Sequence, residues 1–262
     1  MPFPTLKRLA ASLALLAALA PGLGAQGVCS SDGQAQPVRL LERFLSADCE
    51  RCWGAATALV PSAAGPTLAL DWIVPGRLGD DAPLSGAVSR DAMTRLADLR
   101  RAAPLEQLRV RTRVKSGRGA TVRVAHGVAL GGYIGASIEA RANASVEASV
   151  EASVEVHGKP TTAPPTAVLL LVETIAAGSD GTPIQRNLVR NMLQAPWNGD
   201  SSLQKEKQFS WLERRPLSIP EGANPERLRV VGWLQDQRGR LLAVAQSACR
   251  PNDGGNALPR LR

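Results

Sequence analysis

The sequence predicts an α/β unit over residues 26–105 followed by a mostly antiparallel, sandwich-like β domain over 106–250. Three observations lead to this. Within the first hundred residues an apolar strand, a helix and a second apolar strand follow one another, with a capped helix beyond them. From 106 onward helical periodicity gives way to period-2 alternation, unbroken from Ile134 to His157. Two apolar runs, 228–235 and 241–246, flank Asp236-Gln-Arg-Gly239 and read as a hairpin.

The N-terminal residues stand apart from this plan. Lys7 and Arg8 precede Leu9–Ala20, a run in which only Ser12 is polar; Pro21-Gly22 and the small Gly24-Ala25 follow. This is the layout of a secretory signal covering residues 1–25, with cleavage expected between Ala25 and Gln26. The apolar run is short of the roughly 20 residues that span a bilayer, so an exported chain without a transmembrane segment is expected, periplasmic or secreted. The signal carries two of the 31 basic residues and none of the 23 acidic ones, which lowers the net charge from +8 to +6.

Residues 26–36 form a small, polar arm. Pro37–Leu45 is apolar enough for a buried strand, and Asp48 is placed to cap a helix over about 49–59. Thr67–Val74 (TLALDWIV) is a second strand. After a Gly/Asp/Pro loop, Ser89 caps a helix over about 90–102. In 134–157 every even residue is apolar and every odd one is Gly or polar, which puts the apolar set on one sheet face. Ala-Ser-Val-Glu occurs three times within this stretch. Lys159–Pro165 reads as a loop and Ala167–Ile175 (AVLLLVETI) as a strand. Pro183 opens an expected short helix through Leu193, 196–208 reads as an exposed loop, and 251–262 as a polar tail.

Four cysteines in an exported chain suggest disulfides. Cys49 and Cys52 form a Cys-x-x-Cys pair. Cys29 and Cys249 remain, near the two ends of the mature chain, and chain ends are often close in space. A Cys29–Cys249 bridge across so long a loop is worth about 4–5 kcal/mol in the chain-entropy model. Zinc is disfavoured: His126 and His157 are far apart in sequence, and a second Cys-x-x-Cys is lacking. No cofactor is implied. Arg109, Arg111, Arg113 and Lys115 alternate with Val110, Thr112 and Val114, so one strand face is basic. Such a face attracts an acidic envelope component, although a solvated strand face that resists edge pairing is the plainer reading. Nucleic acid fits poorly, because aromatic residues are few.

A strand leading into a Cys pair, in an exported chain, resembles the thioredoxin-like fold. In particular it resembles bacterial exported proteins of unknown function that join a thioredoxin-like domain to a C-terminal β domain. The residues that carry the resemblance are Leu40–Cys52, Leu70-Asp71-Trp72 with Gly79–Pro83 and Ser89-Arg90, and Asn187–Arg190 with Leu228–Trp233. Asp48 and Trp53 stand where that family usually has Gly and Pro, and no Thr-Pro follows the 90–102 helix. The resemblance implies Cys49 as nucleophile, favoured by Arg51 and opposed by Asp48 and Glu50, with Cys52 as the resolving thiol and a protein thiol or disulfide as partner. Asp71 is a candidate proton relay, or an exposed loop-facing carboxylate. The expectation adopted is a non-enzymatic envelope or binding protein with structural disulfides. A thiol–disulfide oxidoreductase or redox sensor using Cys49/Cys52 is the alternative.

Overall fold

The computed structural model describes residues 29–56, 66–115, 119–143, 165–196, 202–205 and 208–249. The expected signal, the Ala-Ser-Val-Glu repeat, His157, most of the 159–165 loop and the polar tail lie outside the described residues.

The chain forms two β-sheets and only two α-helices. In chain order the strands are β1 (Cys29–Ser30), β2 (Arg39–Ser46), β3 (Thr67–Val74), β4 (Gln107–Arg113), β5 (Ala120–Leu130), β6 (Tyr133–Asn143), β7 (Thr166–Ile175), β8 (Arg186–Pro196), β9 (Ser202–Lys205), β10 (Gln208–Ser218), β11 (Leu228–Gln235) and β12 (Leu241–Gln246). The helices are α1 (Glu50–Trp53) and α2 (Arg90–Asp98). One sheet has five strands in the order β1-β5-β6-β10-β9. The other has seven, in the order β12-β11-β7-β8-β3-β2-β4.

This overturns the expected α/β thioredoxin-like N-terminal domain. β2 and β3 do pair in parallel, as a β-α-β unit requires, but they belong to a sheet whose other five strands come from beyond residue 106. α1 is a single turn, too short to cover a sheet face. The fold is mostly β, and its two facing sheets fit the sandwich expectation in part. Local order misleads here because a strand–turn–strand sequence is silent about which strands later insert beside it.

Two sheet faces meet in one core. Val124 of β5 and Ile138 and Ala140 of β6 pack against Leu169 and Leu171 of β7, Val230 and Leu234 of β11, and Ala243 of β12. β6 keeps the predicted alternation: Ile134, Ala136, Ile138 and Ala140 are buried, and the intervening residues are at least partly exposed. Gly232 of β11 sits where the sheets come closest, since a Cβ there would lie 2.5 Å from Val124 Cγ1 and 2.8 Å from Ile138 Cδ1. The opposite face of the seven-stranded sheet buries Leu40, Phe44, Leu70, Trp72, Val168, Leu170 and Trp233 with Ala92 and Leu96 of α2. Burial on both faces is why β7 reads as a continuous apolar run. Ser89 caps α2 through its hydroxyl, which accepts from the Asp91 amide.

Other expectations need correction. Residues 183–193 do not form a helix; Arg186–Pro196 is strand β8, paired along its length with β7 and touching β3 at Asp71–Leu188. A slot between two strands satisfies the backbone groups of whatever segment fills it, and that outweighs weak local preference. Part of the expected 196–208 loop is strand β9, paired with β10. Asp48 does not cap α1. Its carboxylate accepts from the amides of Arg77 (2.7 Å) and Leu78 (3.2 Å), closing the turn after β3.

Candidate functional site at the Cys49–Cys52 turn

β2 delivers the chain to the Cys pair, and a buried polar cluster beneath it holds the turn in place. β2 carries Glu42 and Arg43 at its centre, both buried. Because both faces of the strand are covered, each charge needs its own partner. Glu42 takes two hydrogen bonds of 2.8 Å from Arg95 of α2, whose guanidinium lies over Trp233 and also donates to Gln235. Arg43 points to the other face and donates to Asp71 at 2.6 Å, directly across from it in the β2–β3 register.

Asp71 is therefore not loop-facing. It is wholly buried, and it also accepts from Arg186 Nη1 (3.1 Å) and the Asn187 amide (3.0 Å). Arg186 sits at the centre of the arrangement. Its Nη2 donates to the carbonyls of Cys52 (3.1 Å), Trp53 (2.6 Å) and Ala55 (3.3 Å), the groups left open at the end of α1. Its Nε donates to Thr182, and its guanidinium lies 5.1 Å from the Trp53 ring centroid. Burial pushes the Arg186 guanidinium below its ordinary value, against the opposing pull of Asp71.

The sulfurs of Cys49 and Cys52 are at bonding distance. Both residues are buried, packed with Leu45, Ala47, Trp53, Ile73 and Ala82. α1 has four residues, so the summed helix dipole that lowers a thiol's pKa is absent. Arg51, expected to favour a thiolate, pairs instead with Glu106 at the surface.

Beside the turn lies a cleft of about 530 Å3. Trp53, Ile73, Leu84, Ile175 and Leu188 give it apolar walls. Its polar side is Glu173, which accepts from Arg190 Nε (2.7 Å) and the Asn224 amide (3.1 Å), together with the Arg227–Asp180 pair. The Trp53 indole donates to the Asp180 carbonyl at 2.7 Å, fixing its ring in the wall.

Cys29 and Cys249 also have their sulfurs at bonding distance. The pair joins β1 to the segment after β12, next to the antiparallel bridge between Ser30 and Ala248. Two disulfide pairs are compatible with an exported protein, and no helix among the described residues is long and apolar enough to cross a membrane. Of the basic stretch, Arg109, Arg111 and Arg113 are exposed on β4, an edge of the seven-stranded sheet.

Sequence reasoning missed the partners of Arg43, Glu42 and Asp71. The signal was available: charged residues inside apolar strands must find buried counter-charges. It also missed Glu173 and Arg190, which nothing in the sequence links. Comparison with protein-family models, curated proteins and solved structures finds no match.

Proposed function

We propose that this chain is an exported, non-enzymatic binding or envelope protein whose cysteine pairs rest as disulfides, and that the cleft beside Trp53 is its ligand site. The observation that carries the reading is the continuity of the buried Cys49–Cys52 turn with the cleft wall. The disulfide and Arg186 fix Trp53, and Trp53 lines the cleft. Buried sulfurs on a one-turn helix are poorly suited to attack a partner disulfide. A cleft with apolar walls and a few convergent polar groups suits a small ligand with an apolar body and one polar end. The exposed arginines of β4 favour an anionic envelope surface as a weak partner.

The test has two arms. The oxidised protein is held in glutathione buffers and alkylated with a mass-shifting maleimide; Cys49 and Cys52 stay unlabelled, and the protein does not reduce insulin. Labelling at glutathione potentials, with insulin reduction abolished by Cys49→Ser, overturns the non-enzymatic reading. Ligand-observed NMR with small amphiphilic acids and amines then reports cleft binding that Trp53→Ala removes. Secretion with a mature N-terminus at Gln26 tests export.

A further inference from the structure

Cys29, Cys249 and His126 stand side by side. In the β1–β5 register Cys29 lies directly opposite His126. The Ser30–Ala248 antiparallel bridge sets Cys249 opposite Cys29 on the other side, with their Cα atoms 4.0 Å apart. Three residues in one row across three neighbouring chain segments project to the same face. The two sulfurs and an imidazole nitrogen of His126 lie within 4.8 Å of one another. His126 is only 5% exposed, and its Nε2 has no hydrogen-bond partner among the described residues. Its Nδ1 is 2.8 Å from the Gly127 carbonyl. A proton on Nδ1, donated to that carbonyl, leaves the Nε2 lone pair free, the arrangement in which ligating histidines are commonly held.

We propose that Cys29, Cys249 and His126 form a redox-gated metal site, which binds one borderline divalent cation of the Zn2+ type when the disulfide is reduced. This goes beyond the resting structural role of the same disulfide. Sulfur–sulfur–nitrogen ligation is the donor set such cations prefer. Of the three residues Cys249 is exposed, so the site opens to solvent on its side, where water can supply the fourth tetrahedral ligand.

The gate is a two-electron exchange with a dithiol reductant. Its thiolate attacks the sulfur of Cys249, the exposed residue of the pair; the S–S bond breaks and the electron pair leaves on Cys29. The second thiol of the reductant then attacks the mixed disulfide and releases Cys249. The reductant ends as its own disulfide, and both its protons end on the two cysteines. The cation then displaces those two protons.

The other cysteine pair also has a carboxylate within reach, Glu106, but that residue is exposed and paired with Arg51. The experiment separates the two places. The full exported chain, wild type and Cys49→Ser/Cys52→Ser, is reduced with a dithiol, freed of it under nitrogen and titrated with Co2+. Sulfur-to-cobalt charge-transfer absorbance is the readout. The expected result is one Co2+ per chain in both proteins, displaced by Zn2+. His126→Ala weakens binding at least about 10-fold, and His126→Cys restores it. Far-UV circular dichroism of the oxidised variants checks their folding; if Cys49→Ser/Cys52→Ser fails to fold, the His126 series in the wild-type background decides. Absence of stoichiometric binding overturns the proposal. So does binding that depends on Cys49 and Cys52, or that His126→Ala leaves unchanged.

Discussion

Replacing Asp71 by Asn is the sharpest probe of the cluster under the Cys turn. The change keeps side-chain shape and removes one negative charge. In the native protein that charge faces two buried cations: Arg43 at 2.6 Å and Arg186 at 3.1 Å, their side chains only 5% and 3% exposed. The Asn187 amide adds a third donor at 3.0 Å. Without the carboxylate two guanidinium groups remain buried around a neutral amide. Breaking a buried ion pair from one side costs about 3–5 kcal/mol. Typical domains have a total stability of only about 5–15 kcal/mol, so about a fifth or more of the margin is at stake. Urea unfolding followed by tryptophan fluorescence reads the loss as a lower midpoint at unchanged slope. Adding Arg43→Met to Asp71→Asn removes one of the stranded cations and recovers part of the loss. A midpoint shift equivalent to less than about 1 kcal/mol would refute the reasoning, as would a double variant no more stable than Asp71→Asn alone.

Gly232→Ala drives a methyl group into Val124 and Ile138 of the facing sheet, with a cost of about 1–3 kcal/mol; thermal denaturation should show that adding Val124→Ala restores part of it. Cys29→Ala/Cys249→Ala opens a bridge spanning 220 residues of sequence. The chain-entropy model puts the loss near 5 kcal/mol and typical measured losses are about 2–5, so a midpoint loss below about 1 kcal/mol counts against the tether. Burial raises the Asp91 carboxyl above its usual range, opposed by hydrogen bonds from the Met192 amide and with Ser89. The folded chain therefore holds that proton to higher pH than the unfolded chain. The associated stability is full below the ordinary carboxylate value and is lost as pH rises from about 4 through the raised one. Asp91→Asn should become progressively less costly relative to wild type across that window in pH-resolved urea titrations, and a constant difference would contradict the shift.

Several strands were legible from residues alone because both their faces or one whole face are buried. Thr67–Val74 matches β3, Ala167–Ile175 falls one residue inside β7, and the 228–246 hairpin is β11 and β12. The Ser89 cap was legible for the same local reason, a hydroxyl one residue before the first turn of α2. β8 was not, since Arg186–Pro196 mixes Arg, Asn and Gln with a few apolar residues, and only the gap between β7 and β3 makes it a strand. Asp48 and Asp71 were assigned to the wrong surroundings. A carboxylate's partners lie 29 and 115 residues away here, and chain spacing carries no information about them.

What this sequence determined by itself is local. It set the strand runs, the alternation of β6, the capped helix α2, and a pairing of Cys29 with Cys249 argued from count and chain ends, whose sulfurs the fold brings to bonding distance. Backbone conformation and side-chain periodicity act over a few residues, so they leave a readable pattern. Only the tertiary structure decided that β2 and β3 join strands from the second half in one sheet, that Arg186 ties Asp71 to the Cys49–Cys52 turn, and that His126 stands beside Cys29. Those outcomes depend on burying both faces of a seven-stranded sheet and pairing every charge trapped inside it, conditions that hold only for the assembled fold.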